Sequence, residues 1–418
     1  HGLRGEARRE AGVSVPSIQW QPLMQPRESL AAYGGSNQVA QAIELGLDRQ
    51  GTQLQAPMPQ FRMTSQERKA MLAYLRAMAT NAEPVPGVTA QRVVVASVLP
   101  LLGAQSGTGE RIHAAMAARF EAINAEGGIF GRYIELRVID GGETAASASA
   151  AARAVLQDGK SDIFALVGSL LPDPDDDLLE TLKRRDIPMV ATLGVTQSEP
   201  TLPQLTYLLP SLEAQVRQLA AEMARHCSPG PSEALLLHPP RAPLQVTVSQ
   251  ALPTWQLQPV SDVSQWAEPR QEAPGARVIA LLGREQMTQL RAHWEASSAP
   301  ACLGTLAVLS GRPPSDVPSR FAEAVALPMP PVLQNKAQPP GAALWPLLGD
   351  TAAAVFAEAL ARSGRVLDTE RFGQALDTLH RFQPTPGLSV TFGPQQRHGF
   401  DISYYWRENT HEISHPIQ

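Results

Sequence analysis

Beyond residue 92 the chain alternates between two hydrophobic periods. The run VVVASVLPLL from Val93 is continuously apolar, as in a strand covered on both faces, and apolar residues then recur at helical spacing over 110–124. The same alternation predicts strands at 134–139, 163–167 and 189–193 and helices at 144–157 and 175–185. A second set follows, with helices at 212–226 and 284–294 and strands at 234–238, 278–282 and 304–309. Short strands joined through helices are parallel βαβ units with right-handed crossovers, so the pattern predicts two α/β lobes. An apolar helix at 342–363, another at 368–379 and an alternating, strand-like stretch over 388–417 are expected to complete them.

Before residue 92 the pattern differs. Short helical stretches separated by Gly and Pro run to about residue 82, and NAEPVPGVTA from Asn81 reads as a linker. The expected organisation is a small all-α domain at 1–82, a linker at 83–92 and a two-lobed α/β body at 93–418. The first lobe should take about 93–211 and 342–380, and the second about 212–341 and 381–418. In the small domain, Thr64 followed by Glu67 is a capping box, and Met71, Leu72, Leu75 and Met78 form one apolar helical face.

Composition narrows the function classes. The 418 residues carry 35 basic and 40 acidic side chains, a net charge of −5, which argues against a nucleic-acid binder. No stretch approaches the ~18–20 consecutive apolar residues of a membrane helix, so a chain that does not span a membrane is expected. Cys227 and Cys302 are the only thiols, which excludes a disulfide framework and a cysteine-rich zinc site built by this chain and leaves room for one disulfide. The chain opens on His1, and an upstream part of the product is expected to be missing.

Catalytic signals do not assemble. His411-Glu412-Ile413-Ser414-His415 matches H-E-x-x-H, which on a helix places two zinc ligands on one face. Here Phe400, Ile402, Tyr404 and Trp406 alternate, a turn-like 407–410 follows, and the motif falls on a returning strand, where residues four apart do not converge on a metal. Gly107-Thr108-Gly109 starts a dinucleotide fingerprint without its third glycine and reads as a helix start. Asp173, Asp175, Asp176 and Asp177 precede a helix ending in Lys183, Arg184 and Arg185, the charge order that a helix dipole favours. Gly103 and Ser106 miss the G-x-S-x-G spacing, and His113 and His226 read as structural. The chain is not expected to be an enzyme.

Two resemblances add to this reading. APMPQFRMTSQERKAMLAYLRAM, from Ala56 to Met78, resembles the C-terminal part of class I cytochromes c, whose M-P-x-F loop supplies a methionine to haem iron. The resemblance implies Met58 as one axial ligand and His1, followed by Gly2 and by Pro16 downstream, as the other. Haem c then requires a C-x-x-C immediately upstream of His1, because neither Cys227 nor Cys302 can supply the thioether bonds; the chain as it stands carries no cofactor.

From Val93 to about Arg407 the sequence resembles type I periplasmic substrate-binding proteins of the leucine/isoleucine/valine family. The matching stretches are N-x-x-G-G-I-x-G-R from Asn124 to Arg132, VGSLLPDPDDDLLETLKRRDIPMVATLG and GLSVTFGPQQRHG. The resemblance implies two lobes hinged about a cleft that closes on a small-molecule ligand. It places ligand contacts on loops after strands: Gln105 and Ser106, Ser169 and Leu170, and Thr192, Gly194 and Thr196. An ungapped alignment sets Pro172 and Val195 where the amino-acid binders use hydroxyls, and Leu306 near the acid that pairs with the ligand's ammonium. An unpaired buried charge costs several kcal/mol, so a less polar solute is favoured over a branched-chain amino acid, although a shift of one residue returns Thr196 to the site.

The function expected from these residues is periplasmic solute binding for an ABC permease, with a c-type cytochrome domain attached. The alternative is a haem electron-transfer protein whose lobes sense or dock a redox partner.

Overall fold

A computed structural model describes residues 5, 7–10, 13–26, 31–54, 59–77, 85–157, 162–171, 173–197, 200, 202–226, 234–240, 242–261, 277–296, 302–306, 309, 322–327, 344–386, 388–400, 404–407 and 413–414. The chain divides into two compact units, His1–Pro84 and Val85–Gln418.

The first unit is not all-α. Strands β1 (Arg8–Glu10) and β2 (Val13–Val15) pair antiparallel, as the β-branched Val13 and Val15 flanking Ser14 allow. Helices α1 (Trp20–Leu23), α2 (Ser36–Leu45) and α3 (Ser65–Ala77) follow. The expected capping box opens α3: the Thr64 N–H donates to Glu67 Oε2 at 2.8 Å, and the Glu67 N–H donates to Thr64 Oγ1 at 3.3 Å. Of the expected apolar face, Leu72 and Leu75 enter a core with Leu23, Val39 and Ala40, whereas Met71 is exposed. Met78 lies outside the described residues, as do both expected iron ligands, His1 and Met58.

The second unit begins with a parallel sheet. Strands β3 (Arg92–Leu99), β4 (Tyr133–Asp140), β5 (Ala165–Val167), β6 (Met189–Thr192) and β7 (Leu205–Tyr207) stand in the order β4-β3-β5-β6-β7. Helix α4 (Ser106–Ala125) packs on one face, and α5 (Ala145–Gln157) and α6 (Asp176–Arg185) on the other. Gly109 explains part of the glycine-rich helix start: a Cβ there would come within 2.0 Å of Pro100 O, so its absence lets α4 lie close against the end of β3. At the other end of α4, Gly127 and Gly128 adopt φ of 98° and 70°, and Asn124 pairs through its side-chain amide with both the N–H and the C=O of Ile134. The N-x-x-G-G-I-x-G-R segment is therefore a device for ending α4 and starting β4.

The chain then passes to a second lobe. Helix α7 (Leu212–His226) leads into β8 (Ala234–His238), α8 (Ala242–Ala251), β9 (Gln256–Pro259), β10 (Arg277–Ala280), α9 (Arg284–Ala296), β11 (Cys302–Leu306) and β12 (Ala322–Leu327). Their parallel order is β9-β8-β10-β11-β12, the same doubly wound order as in the first lobe. Helices α7 and α8 cover one face and α9 the other. Cys302 is disulfide-bonded, and the chain's other cysteine, Cys227, lies outside the described residues.

Helices α10 (Leu344–Arg362) and α11 (Thr369–Leu376) return to the first lobe. By length and composition α10 could cross a membrane, but most of it is buried, and it packs along α4 in the core of this lobe. The aromatic rings of Phe120, Phe164, Phe356 and Phe372 meet there, with centroids 5.3–6.4 Å apart.

The expected lobe boundaries need one correction. Residues 382–400 belong to the first lobe: β13 (Phe382–Thr385) pairs with β14 (Leu388–Val390), and Leu388, Val390, Phe392 and Phe400 enter its core. The segment around His398 runs parallel to β7, with the Tyr207 N–H donating to Arg397 O and the Gly399 N–H to Tyr207 O. Among the described residues after 381, β15 (Tyr404–Arg407) and β16 (Ile413–Ser414) are the ones that join the second sheet, antiparallel to β12 and to each other. Ile413 thus sits on a strand, as expected for the H-E-x-x-H stretch; His411 and His415 lie outside the described residues.

Candidate functional site

In both lobes the strands point their carboxyl ends toward the segment 208–211 that joins β7 to α7. A helix feeding a parallel strand runs antiparallel to it, so the first turn of α7 lies at the carboxyl end of the second sheet. That turn is bonded to the first lobe: the Leu212 N–H donates to Thr196 O at 2.7 Å and the Glu213 N–H to Gln197 O at 3.3 Å. Val195 packs against the cores of both lobes.

The sequence-derived contacts lie on loops, at strand ends or, for Gln105 and Ser106, at a 3₁₀ turn and a helix start, and they do different work. Gln105 ends a 3₁₀ turn (Gly103–Gln105) and is exposed, and Ser106 opens α4. This loop is held by two carboxylates of the β4–α5 connection: Asp140 Oδ1 accepts from the Leu101 and Gly142 N–H groups at 3.0 and 3.1 Å, and Glu143 Oε1 accepts from the Ala104 N–H at 2.6 Å. The two N–H donors hold the Asp140 carboxyl below its ordinary range.

Ser169 is fully buried and its Oγ accepts from the Val98 N–H at 3.0 Å, while the Leu170 N–H donates to Val98 O at 2.9 Å. Both residues fasten the end of β5 to β3. Thr196 is also a fastener: its hydroxyl meets His398 Nε2 at 3.0 Å and its carbonyl caps α7. Gly194 is buried. Thr192, at the end of β6, carries a buried hydroxyl with no hydrogen-bond partner among the described residues. Pro172 lies outside the described residues, and Leu306 is a buried core residue of the second lobe.

Several residues at the junction take roles that their sequence context does not indicate. Asp173 Oδ2 accepts from the Gln197 N–H at 3.1 Å, and Gln197 Oε1 accepts from Thr247 Oγ1 at 2.9 Å, so a chain of hydrogen bonds runs from the first lobe to α8 of the second. Asp175, not Asp173, caps α6, accepting from the Leu178 N–H at 2.8 Å. Loss of solvent pushes the Asp173 carboxyl above its ordinary range; the Gln197 N–H and the nearby His398 offset part of this. Burial likewise pushes the Tyr207 phenol up, with the Asp173 charge adding to it. The rings of Tyr207 and His398 lie 5.8 Å apart. In the second lobe His238 ends β8, and Gln215 lies in the first turn of α7; both are fully buried.

Residues 92–239 match the family model described as periplasmic binding protein. The second unit has the periplasmic-binding-protein fold. Solved structures support this over most of the chain. A substrate-binding periplasmic protein from Ralstonia solanacearum superposes with a TM-score of 0.56 at 19% identity, covering 75% of this chain and 96% of that one. A fatty acid ABC transporter substrate-binding protein from Thermomonospora curvata gives 0.58 at 14% identity, over 80% and 93% of the two chains. A possible leucine/isoleucine/valine-binding protein from Rhodopirellula baltica gives 0.59 at 12%, over 80% and 98%. Among curated protein sequences there is no match. Among the described residues no group of three or more His, Cys, Asp or Glu side chains could hold a metal.

Proposed function

We propose that this protein captures a small solute between its two lobes, outside the cytoplasmic membrane, and presents it to an ABC-type permease. The observation that carries the reading is the shared level of the two sheets' carboxyl ends, where side chains from both lobes meet through Gln197 and Thr247. The family match over residues 92–239 supports a binding role, as do the neighbouring structures, which are substrate-binding proteins. The disulfide at Cys302 supports an oxidising compartment. Binding needs no bond making, and the reading assigns no catalytic residue.

The haem electron-transfer alternative rests on His1 and Met58, which lie outside the described residues, in a unit that the family match does not include. It gains no support from the fold.

The test is small-angle scattering and tryptophan fluorescence on the full chain, with L-leucine, octanoate and a panel of small amides and carboxylates. The expected result is contraction with at least one solute. No change with any of them overturns the reading.

A further inference from the structure

We infer that the solute is held by an uncharged head group that donates hydrogen bonds, a primary amide or hydroxyl, seated on His238 and Gln215 of the second lobe. The inference rests on the solute-binding reading and specifies its ligand class.

His238 is 0% exposed and stands at the carboxyl end of β8. Strand β8 lies between β9 and β10, the point where the strand order reverses, and ligands of doubly wound sheets bind outside the carboxyl ends at such a point. The ring's Nδ1 is 2.7 Å from Pro239 O. A carbonyl only accepts, so Nδ1 carries the proton, and the tautomer this selects presents a lone pair at Nε2. That Nε2 is buried and has no partner among the described residues.

Gln215 repeats the arrangement. It is 0% exposed, its Nε2 donates to Pro210 O at 2.7 Å, and its buried Oε1 has no partner among the described residues. Leu236 lies in the core under α7 and α8, and strand alternation puts His238 on that same face, opposite Leu281 of the same core. Gln215 is flanked on α7 by Leu212 and Val216, also of that core. Two unmet acceptors thus stand among apolar side chains at one end of one face. Leaving either without a partner is unfavourable, and a donor-bearing guest that reaches it relieves that deficit. A carboxylate head group would bring further acceptors to lone pairs. Asp173, at the carboxyl-end loop after β5, adds an acceptor on the opposite lobe.

The experiment compares isovaleramide with isovalerate, one skeleton with a donating or an accepting head, by calorimetry on the full chain. The expected result is at least tenfold tighter binding of the amide, a shift of the His238 Nε2 ¹⁵N resonance on titration, and roughly tenfold weaker amide binding in Gln215→Leu. Equal or tighter binding of isovalerate, an unmoved resonance, or no binding of either compound overturns the inference. If L-leucine or octanoate still contracts the protein, only the donor inference falls; if nothing does, the binding reading falls with it.

Discussion

Thr247 of α8 donates its hydroxyl proton to Gln197 Oε1 at 2.9 Å, tying a side chain of the second lobe to a loop of the first. Gln197 is itself fixed through its N–H to Asp173 and through its carbonyl to the start of α7, so the tie ends on a rigid anchor.

Replacing Thr247 with Val keeps the shape and removes the donor. The lobes should separate more readily, because a hydrogen bond worth about 1 kcal/mol between them is gone. Distances between spin labels placed on α5 and α9 should lengthen or broaden in Thr247→Val relative to the parent. An unchanged distribution would mean that the bond does not influence the lobe angle.

Arg397 holds together three chain segments of the first lobe. Its guanidinium reaches Asp377 Oδ1 at 2.5 Å, Gly393 O at 2.9 Å and Leu205 O at 3.4 Å, and also bonds Pro203 O. The side chain is 7% exposed and that of Asp377 28%, so removing the cation strands a carboxylate that water reaches in part. Arg397→Met should lower stability by about 3 kcal/mol in urea unfolding. Arg397→Lys should recover little of it, since an ammonium cannot replace the planar fork.

The Cys302 disulfide should stabilise the second lobe by restricting its unfolded chain. Reduction, or Cys302→Ser, should cost roughly 2–4 kcal/mol and lower the melting temperature. Calorimetry with and without reductant measures this, and no difference would count against a structural role.

Asp173 gives a pH dependence of definite sign. Its carboxyl lies above the ordinary value of 3.8, so the folded protein holds this proton more tightly than the unfolded chain does. The contribution to stability is full below pH 3.8 and is lost as pH rises through the folded value. Stability of the parent relative to Asp173→Asn should therefore decline upward from that pH, as read by denaturant titration at a series of pH values. Asp140, held low by two N–H donors, should contribute in the opposite direction, losing its share as pH falls.

Much of the α/β body is legible in the sequence because its signals are local. The apolar run at β3 and the helical spacing of α4 place both elements, and α7 and β8 are expected at the bounds they occupy. What escapes is local sequence overridden by tertiary context. Ala242–Ala251 contains the β-branched run Val246, Thr247 and Val248, yet forms a helix on the second sheet. Arg8–Glu10 and Val13–Val15 are too short for a period to register, and their pairing replaces the all-α expectation.

The site was legible only as a level in the fold. Loops after strands are singled out by the resemblance, and on them Ser169 and Thr196 act as fasteners whose partners Val98 and His398 lie 71 and 202 residues away. No spacing rule reaches so far. His238 follows three leucines and reads as the polar end of a strand; only the unmet lone pair at its ring sets it apart.

The return of β15 to pair with β12 has a consequence for synthesis on the ribosome. The first lobe needs α10, α11 and the stretch up to Phe400, and the second needs the strand after it, so neither is one uninterrupted length of polypeptide. A nascent chain stalled just before residue 344 would hold both five-stranded parallel sheets, the first without the α10 and α11 cover of one face and the second without β15 on its β12 edge. Completion comes almost at once for both, and an emerging intermediate with an uncovered sheet face and an unpaired strand edge is the species that chaperones would have to shield.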